Sequence, residues 1–307
     1  MKETDIAVVG AGTAGMTAAI YAVRAGFKVS MFEGYMPGGQ IVNTGEVENY
    51  PATGRISGFD YSTALLRQAK EAGAQYVARE VLSVKRISGG FELETAKEQY
   101  FAKALIIATG AKNRELGVEG EKRLTGRGIS YCATCDGALY RGREVAVVGG
   151  GNTAAADAEE LSRLCSKVYL IHRRATFRAQ QADIDKLRAA GNVEFLTDCV
   201  IREIKGEDKL SSVVVENVKD GSVRELKTEG LFVAVGQTPT TALFDGLVER
   251  DPAGYIKAGE DCVAAEGIFV AGDCRTKKIR QLVTAAADGA VAALAAAEYL
   301  GASSVVR

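Results

Sequence analysis

A mixed α/β chain of two three-layer domains, the second inserted in the first, is what the sequence predicts, on three observations. A β-branched run feeds a glycine-rich turn and a helix near the N-terminus; the same unit recurs 139 residues later; and an apolar strand ending in Gly-Asp returns near the C-terminus. Strand-turn-helix units of this kind build Rossmann-like dinucleotide-binding domains. The length of 307 residues suits about two domains, and 47% hydrophobic content is enough for two cores. If the returning strand completes the first unit, that domain is discontinuous, 1–114 with 243–307, and 115–242 is the insertion.

The first unit is justified residue by residue. Asp5-Ile6-Ala7-Val8-Val9 reads as a strand, Gly10-Ala11-Gly12-Thr13-Ala14-Gly15 as the turn, Met16 to Ala25 as a helix stopped by Gly26, and Lys28 to Phe32 as the second strand. Gly10 makes the tight turn, Gly12 admits a pyrophosphate against the backbone, and Gly15 lets helix and strand close up. Glu33, at the end of the second strand, is placed to accept hydrogen bonds from ribose hydroxyls. Gly34 to Gly58 reads as a polar loop and Tyr61 to Ala72 as an amphipathic helix. Ala104 to Ala108, followed by Thr109-Gly110, is apolar throughout and suits a strand buried on both faces.

The second unit, Glu144 to Ala154, aligns with Asp5 to Gly15 at a constant offset of 139, which sets Gly149, Gly151 and Ala154 on Gly10, Gly12 and Gly15. Leu231 to Gly236 likewise echoes the strand that ends at Gly110. The informative difference falls opposite Glu33, where His172-Arg173-Arg174-Ala175-Thr176-Phe177-Arg178 stands. A carboxylate repels a ribose 2′-phosphate, whereas guanidinium groups bind one with charge-assisted, bidentate hydrogen bonds. The second site is therefore expected to take NADPH.

The first site, with its acid, is expected to hold FAD, because a hydride donor and a dithiol need an intermediate carrier. Gly267-Ile268-Phe269-Val270-Ala271-Gly272-Asp273, followed by a helix from about Arg280, supplies a strand-end Asp for the polyol and pyrophosphate of that cofactor.

A dithiol is present at Tyr131-Cys132-Ala133-Thr134-Cys135-Asp136-Gly137. Taken alone the pair has three readings: a redox pair, half of a zinc site, or two ordinary cysteines. The other four cysteines are scattered singly and the one histidine belongs to the basic run, so no second half of a zinc site is apparent. With no histidine to spare, Asp136 is the candidate acid/base for thiol exchange, its alternative role being a turn or helix cap.

Composition narrows the partners. A net charge of -1 gives no electrostatic case for nucleic acid or anionic membranes. Leu282 to Leu300 is apolar but carries Asp288, Gly289 and Glu298, and reads as a packed helix, not a membrane span. The chain opens directly into a strand with no secretory signal in view, and its cysteine usage suits the cytoplasm.

Gly-Ala-Gly-Thr-Ala-Gly at 10–15, Gly-Gly-Gln at 38–40, Ala-Thr-Gly at 108–110, Cys-Ala-Thr-Cys-Asp at 132–136, Gly-Gly-Gly-Asn-Thr-Ala at 149–154, His-Arg-Arg-x-x-Phe-Arg at 172–178 and Ala-Gly-Asp at 271–273 occur in the order found in the low-molecular-weight thioredoxin reductases, which the chain resembles over nearly its whole length. The resemblance implies an FAD-containing homodimer that passes electrons from NADPH through the flavin to Cys132–Cys135 and on to a thioredoxin disulfide. It further implies that Gly39, Gln40, Asn49, Thr109, Gly110, Arg280 and Gln281 serve the flavin, that Asn152, Thr153 and Ala154 serve NADPH beside Arg173, Arg174 and Arg178, that Asp136 is the acid, and that Cys135 faces the flavin while Cys132 attacks the partner.

Three departures accompany it. Ala138-Leu139 stands where many relatives carry two aromatics thought to dock thioredoxin, Ala156-Asp157 where two acids are frequent, read here as neutral, and Ala287 where a glycine is common. Two alternatives therefore accompany the reading: a reductase of another protein disulfide, such as a peroxiredoxin or a specialised thioredoxin, and a non-catalytic nucleotide-binding redox sensor.

Overall fold

The computed structural model describes residues 1–301. The chain forms two compact units, Met1–Lys112 with Thr238–Arg307, and Asn113–Gln237, and crosses between them twice.

In the first unit a largely parallel sheet runs in the order Val263–Ala265, Ile268–Val270, Gln99–Ile107, Lys2–Val9, Val29–Phe32, Gln75–Val77. Val9 pairs with Phe32 on one side and Ile107 on the other, so three strands end level. Their apolar runs follow from burial on both faces: Ile6, Val8, Leu105 and Ile106 have no exposed surface. On one face lie the helices Thr13–Arg24 and Leu282–Tyr299, whose alanines, among them Ala18, Ala22, Ala292 and Ala296, let two backbones approach the sheet and each other. The opposite face is filled by Phe91, Phe244 and an edge-to-face pair, Phe32 and Tyr100, with ring centroids 4.8 Å apart.

The first helix begins at Thr13, three residues before the expected Met16, because Gly12 is already its N-cap and its carbonyl accepts the amide of Met16. The glycine turn thus delivers its last residues directly into the helix. Leu282–Tyr299 is long and apolar enough to cross a membrane by length and composition, yet part of it packs in this core, where Ala292, Ala293 and Ala296 are fully buried.

A buried ion cluster fixes that helix. Asp288, 7% exposed, accepts two hydrogen bonds from Arg275 (2.8 and 3.0 Å), one from Lys277 (2.7 Å) and the amide of Gly272 (3.0 Å). Burial pushes its carboxyl up, but the bonds from Arg275 and Lys277 outweigh burial and hold it below the usual range. A depressed carboxylate stabilises the fold above its unfolded pKa and loses that contribution as pH falls through the folded value. Asp288→Asn leaves two cations underpaired; the expected cost is about 3 kcal/mol at neutral pH, shrinking in acid, read by denaturant unfolding across pH.

The second unit has a five-stranded parallel sheet in the order Val193–Thr197, Lys167–His172, Glu144–Val148, Gly230–Val233, Ile129–Ser130. A three-stranded antiparallel sheet, Cys199–Lys205, Ser212–Asn217 and Val223–Lys227, packs on it through Ile201, Val213 and Leu226. The helix Asn152–Leu164 covers the other face with Ala155, Ala158 and Leu161. The edge strand ends at Ser130, so its carboxyl end presents Tyr131 and Cys132 directly.

Candidate functional site

In the first unit a cavity of about 930 Å³ opens at the carboxyl ends of Lys2–Val9 and its neighbours, the switch point at which α/β sheets hold ligands. Gly10 sits at φ +104°, and a Cβ there would meet the Ala108 carbonyl at 2.4 Å; one on Gly15 would lie 1.9 Å from the Gly10 oxygen. Only glycine closes this turn against both strand and helix. The helix beginning at Thr13 has no side-chain cap and no acid in its first turn, which leaves its amide end for an anion. Glu33 is held by the amides of Ala11 and Tyr35, each at 3.0 Å, in a fixed orientation beside that turn.

The cavity is lined by Gly10, Gly12, Glu33, Gly39, Gln40, Thr109, Gly110, Asp273 and Gln281. Gln40 donates to the Ala111 carbonyl and Thr109 to that of Thr240 (2.5 Å), which ties the Ala-Thr-Gly turn to the cavity rim. Gly15 packs behind the turn. Asn49 and Arg280 are not in the lining: Asn49 donates to Gln281 Oε1 at 3.2 Å, while Arg280 lies 4.1 Å over the Tyr255 ring and braces the carbonyl of Asp273. Gln281 forms a capping box with Thr284 that starts the last helix.

Asp273 decides whether a cofactor with a polyol fits. Its Oδ1 is buried and has no hydrogen-bond partner, and burial pushes the carboxyl up against the pull of Lys277 and Arg280. An orphaned buried carboxylate oxygen is costly unless a donor arrives, and a ribityl hydroxyl is such a donor. Together with the glycine turn and the oriented Glu33, the residues present fit FAD.

In the second unit the helix Asn152–Leu164 is capped by Gly151, again without a side-chain cap, and Ala154 packs beneath the turn. The turn 173–179 folds over it: the amides of Arg178 and Ala179 donate to the Gly150 carbonyl and that of Gln180 to Asn152 Oδ1, while Thr153 is exposed. His172 is 6% exposed, bonded through Nε2 to the Thr176 carbonyl, stacked on Phe177, and so close that a Cβ on Gly150 would lie 2.1 Å from its ring. Burial, with the three arginines, lowers its pKa against the Thr176 bond and keeps it neutral. The histidine shapes the turn from inside. Arg173, Arg174 and Arg178 are exposed, and none forms an ion pair among the described residues.

Cys132 and Cys135 form a disulfide with Cα atoms 5.3 Å apart. The one-turn helix Ala133–Asp136 carries them, with Cys132 as N-cap and its Sγ accepting the Cys135 amide at 3.2 Å. Cys135 is exposed and Cys132 partly so. Asp136 is clamped by Ser130, whose hydroxyl donates at 2.6 Å and accepts the Cys132 amide at 3.1 Å; burial pushes the Asp136 carboxyl up against that hydrogen bond. A carboxyl raised by burial beside a sulfur pair gives and takes a proton more readily than an ordinary surface carboxylate. The other cysteines are buried free thiols, and burial pushes Cys165, Cys262 and Cys274 to about 11, far from reactivity.

Two structural features of the site carry no motif. Glu121, 2% exposed, accepts the Leu116 and Gly117 amides and the Tyr131 hydroxyl, and so anchors the residue preceding Cys132. Asp288, visible in the sequence only as an acid in an alanine-rich helix, holds the Gly272 amide next to Asp273.

The sequence pattern of the family described as pyridine nucleotide-disulphide oxidoreductase matches residues 4–289. The thioredoxin reductase of Listeria innocua is 43% identical over 304 residues, covering 97% of this chain and 94% of that protein. That of Treponema pallidum is 41% identical over 300 residues, 97% of each. The solved structure of thioredoxin reductase from Streptococcus pyogenes aligns with a TM-score of 0.92 at 40% identity, covering 97% of this chain and 98% of that one. Such kinship implies flavin and nicotinamide cofactors, for which the two glycine turns have just been described. On the match and the disulfide together, the chain belongs to the pyridine nucleotide-disulphide oxidoreductase family, in its thioredoxin reductase branch.

Proposed function

We propose that the protein is an NADPH-dependent flavoprotein that reduces a thioredoxin disulfide through Cys132–Cys135. The carrying observation is a closed, solvent-accessible disulfide on a one-turn helix in a unit that has its own dinucleotide turn, in a chain whose other turn faces an orphaned Asp273. FAD, when bound, supplies the step between hydride and sulfur chemistry. Gly10, Gly12 and the amides from Thr13 onward hold its pyrophosphate, Glu33 a ribose and Asp273 the polyol; Gly39, Gln40, Thr109 and Gly110 shape the wall, and Asn49 and Arg280 act through Gln281 and Asp273. Gly149, Gly151, Asn152, Thr153 and Ala154 seat the pyrophosphate of NADPH, with Arg173, Arg174 and Arg178 around its 2′-phosphate and His172 beneath.

In the reduced pair Cys132 attacks the partner disulfide, Cys135 resolves the mixed disulfide, and Asp136, held by Ser130, supplies the proton that the departing thiolate needs. We infer a cytoplasmic homodimer. Exposed Leu139 next to Ala138, where many relatives carry aromatics, favours a second reading for the partner: a peroxiredoxin or a specialised thioredoxin. An NADPH-oxidation assay with a panel of thioredoxins and peroxiredoxins tests both, and steady turnover also separates an enzyme from a redox sensor.

Asp273→Asn is expected to weaken flavin retention about 30-fold, since it removes one charge-assisted hydrogen bond of about 2 kcal/mol. Flavin fluorescence during dilution reads it; unchanged retention would remove Asp273 from the site.

A further inference from the structure

Ser130 closes the edge strand Ile129–Ser130, two residues before Cys132, and is 5% exposed. Its Oγ lies 2.6 Å from Asp136 Oδ2, 3.1 Å from the Cys132 amide nitrogen and 3.3 Å from the Cys132 carbonyl oxygen. The hydroxyl therefore has a donor and two acceptors in reach, with a single hydrogen of its own to give. The Cys132 carbonyl also accepts the Asp136 amide at 3.2 Å, which leaves it a lone pair for a second donor. Which acceptor receives the Ser130 hydrogen is decided by the charge on Asp136.

An ionised Asp136 takes it, because a hydrogen bond to a carboxylate is roughly twice as strong as one to a neutral carbonyl. A protonated Asp136 has a hydrogen to give instead. It can donate to Ser130 Oγ once the Ser130 hydrogen points elsewhere, and the Cys132 carbonyl is the acceptor within reach. In that second arrangement Oγ accepts from Asp136 and from the Cys132 amide and donates to the Cys132 carbonyl. Every group is again paired, and only one hydroxyl has turned. Ser130 supplies the one hydrogen bond to the Asp136 carboxyl among the described residues. The other titratable groups round the turn have contacts of their own. Glu160, from the helix Asn152–Leu164, accepts Thr134 at 2.8 Å, Glu121 accepts Tyr131 at 2.8 Å, and Arg143 pairs with Glu229 at 3.0 Å. Tyr140 lies edge-on to Phe232 with centroids 5.3 Å apart, and the Cys165 thiol donates to the Tyr140 carbonyl at 3.3 Å. Asp157, on the same helix as Glu160, is pushed up by burial to about 7, so the test below includes a control for it.

Resting on the reading of Asp136 as the acid of the dithiol, we propose that Ser130 is its positioning residue, a two-way hydroxyl that pairs the carboxyl in both protonation states and passes the change to the Cys132 carbonyl. As Cys135 resolves the mixed disulfide, its thiol proton goes to the Asp136 carboxylate and its sulfur bonds to Cys132 Sγ. The bond between Cys132 Sγ and the partner sulfur breaks, and its electron pair leaves with the partner sulfur, which takes the proton from Asp136. The cysteine pair is oxidised and the partner is reduced. One proton enters and leaves the carboxyl, while the Ser130 hydroxyl turns to the Cys132 carbonyl and back. Asp136 changes charge twice beside the attacking residue and leaves no group unpaired.

The test is a pH titration by NMR of the flavin-loaded protein with Cys132–Cys135 oxidised, so that neither sulfur titrates. Cys132 is the one cysteine followed by alanine, so carbon-13 cysteine with nitrogen-15 alanine isolates its carbonyl, and labelled aspartate compared with Asp136→Asn identifies the Asp136 carboxyl. The wild-type Cys132 carbonyl is expected to shift toward stronger hydrogen bonding as Asp136 takes its proton, with the same midpoint. Ser130→Ala is expected to abolish that shift and to raise the Asp136 midpoint by about one pH unit, a change of about tenfold, because it removes a bond to the charged form and one about half as strong to the neutral form. Ser130→Thr, which keeps the hydroxyl, should restore the shift and bring the midpoint back within about threefold. An unmoved wild-type carbonyl, a shift that survives Ser130→Ala, or an Asp136 midpoint left in place by Ser130→Ala overturns the proposal. So does a shift that survives Asp136→Asn, since Asp157 or Glu160 would then be its source. If Ser130→Ala does not fold, wild type against Asp136→Asn decides: a shift present in the first and absent from the second supports the proposal, and any other result overturns it. Full NADPH-dependent turnover by Asp136→Asn would sink the reading of Asp136 as the acid while leaving this titration intact.

Discussion

Cys135→Ser is expected to lower NADPH-dependent disulfide reduction by at least about 10³-fold while leaving both nucleotide sites intact. The disulfide is the one cysteine pair on the second unit: its other thiols, Cys165 and Cys199, are buried singly and pushed up by that burial. A lone Cys132 can still attack an oxidised partner, because Ser130 and the short helix position it independently of Cys135. With no second sulfur to resolve it, the mixed disulfide accumulates. Mass spectrometry of the variant after incubation with oxidised partner is expected to show a one-to-one covalent adduct on Cys132, absent from Cys132→Ser. If the adduct forms on Cys132→Ser instead, the attacking and resolving roles are exchanged; if turnover survives Cys135→Ser, the dithiol is not on the electron path.

What sequence alone revealed tracks how local each constraint is. Gly10, Gly15 and Glu33 are legible because a backbone turn against a strand leaves room for no other residue, and the carboxylate follows at a fixed spacing. The repeat at offset 139 exposed the second unit for the same reason. His172 shows where register stops short: spacing matched it to Glu33, but a ring that fills the space under Gly150 is a packing decision, and the exposed side chains of the run are the arginines that follow. Asp288 was beyond reach. Its partner Arg275 comes from another element, and an acid on a helix face looks the same in sequence whether solvent or a buried guanidinium covers it. The antiparallel sheet of 199–227 was equally unmarked, since its short alternating strands carry no glycine signature.

Replacing Arg173 and Arg174 together by alanine is expected to raise the KM for NADPH about 10² to 10⁴-fold and leave that for NADH within about threefold. A guanidinium–phosphate hydrogen bond contributes about 1.5–3 kcal/mol, and two of them convert to that range. The geometry makes the effect selective. Both side chains are exposed and have no carboxylate partner among the described residues, so they are available to a ligand and their loss strands no buried charge. The turn that carries them is held separately, by His172 on Thr176 and by the amides of Arg178 and Ala179 on Gly150, so truncation removes charge without collapsing the site. Arg178 remains to give residual preference, and adding its alanine substitution is expected to bring the two cofactors to near parity. Adding Glu at position 173 instead would repel the 2′-phosphate and offer a ribose diol the acceptor that Glu33 offers in the first unit, which reverses the preference. Steady-state kinetics with both nucleotides reads all of these variants. Equal losses for NADPH and NADH would show that the arginines hold the pyrophosphate or the fold, and the assignment of this turn to the 2′-phosphate would fail.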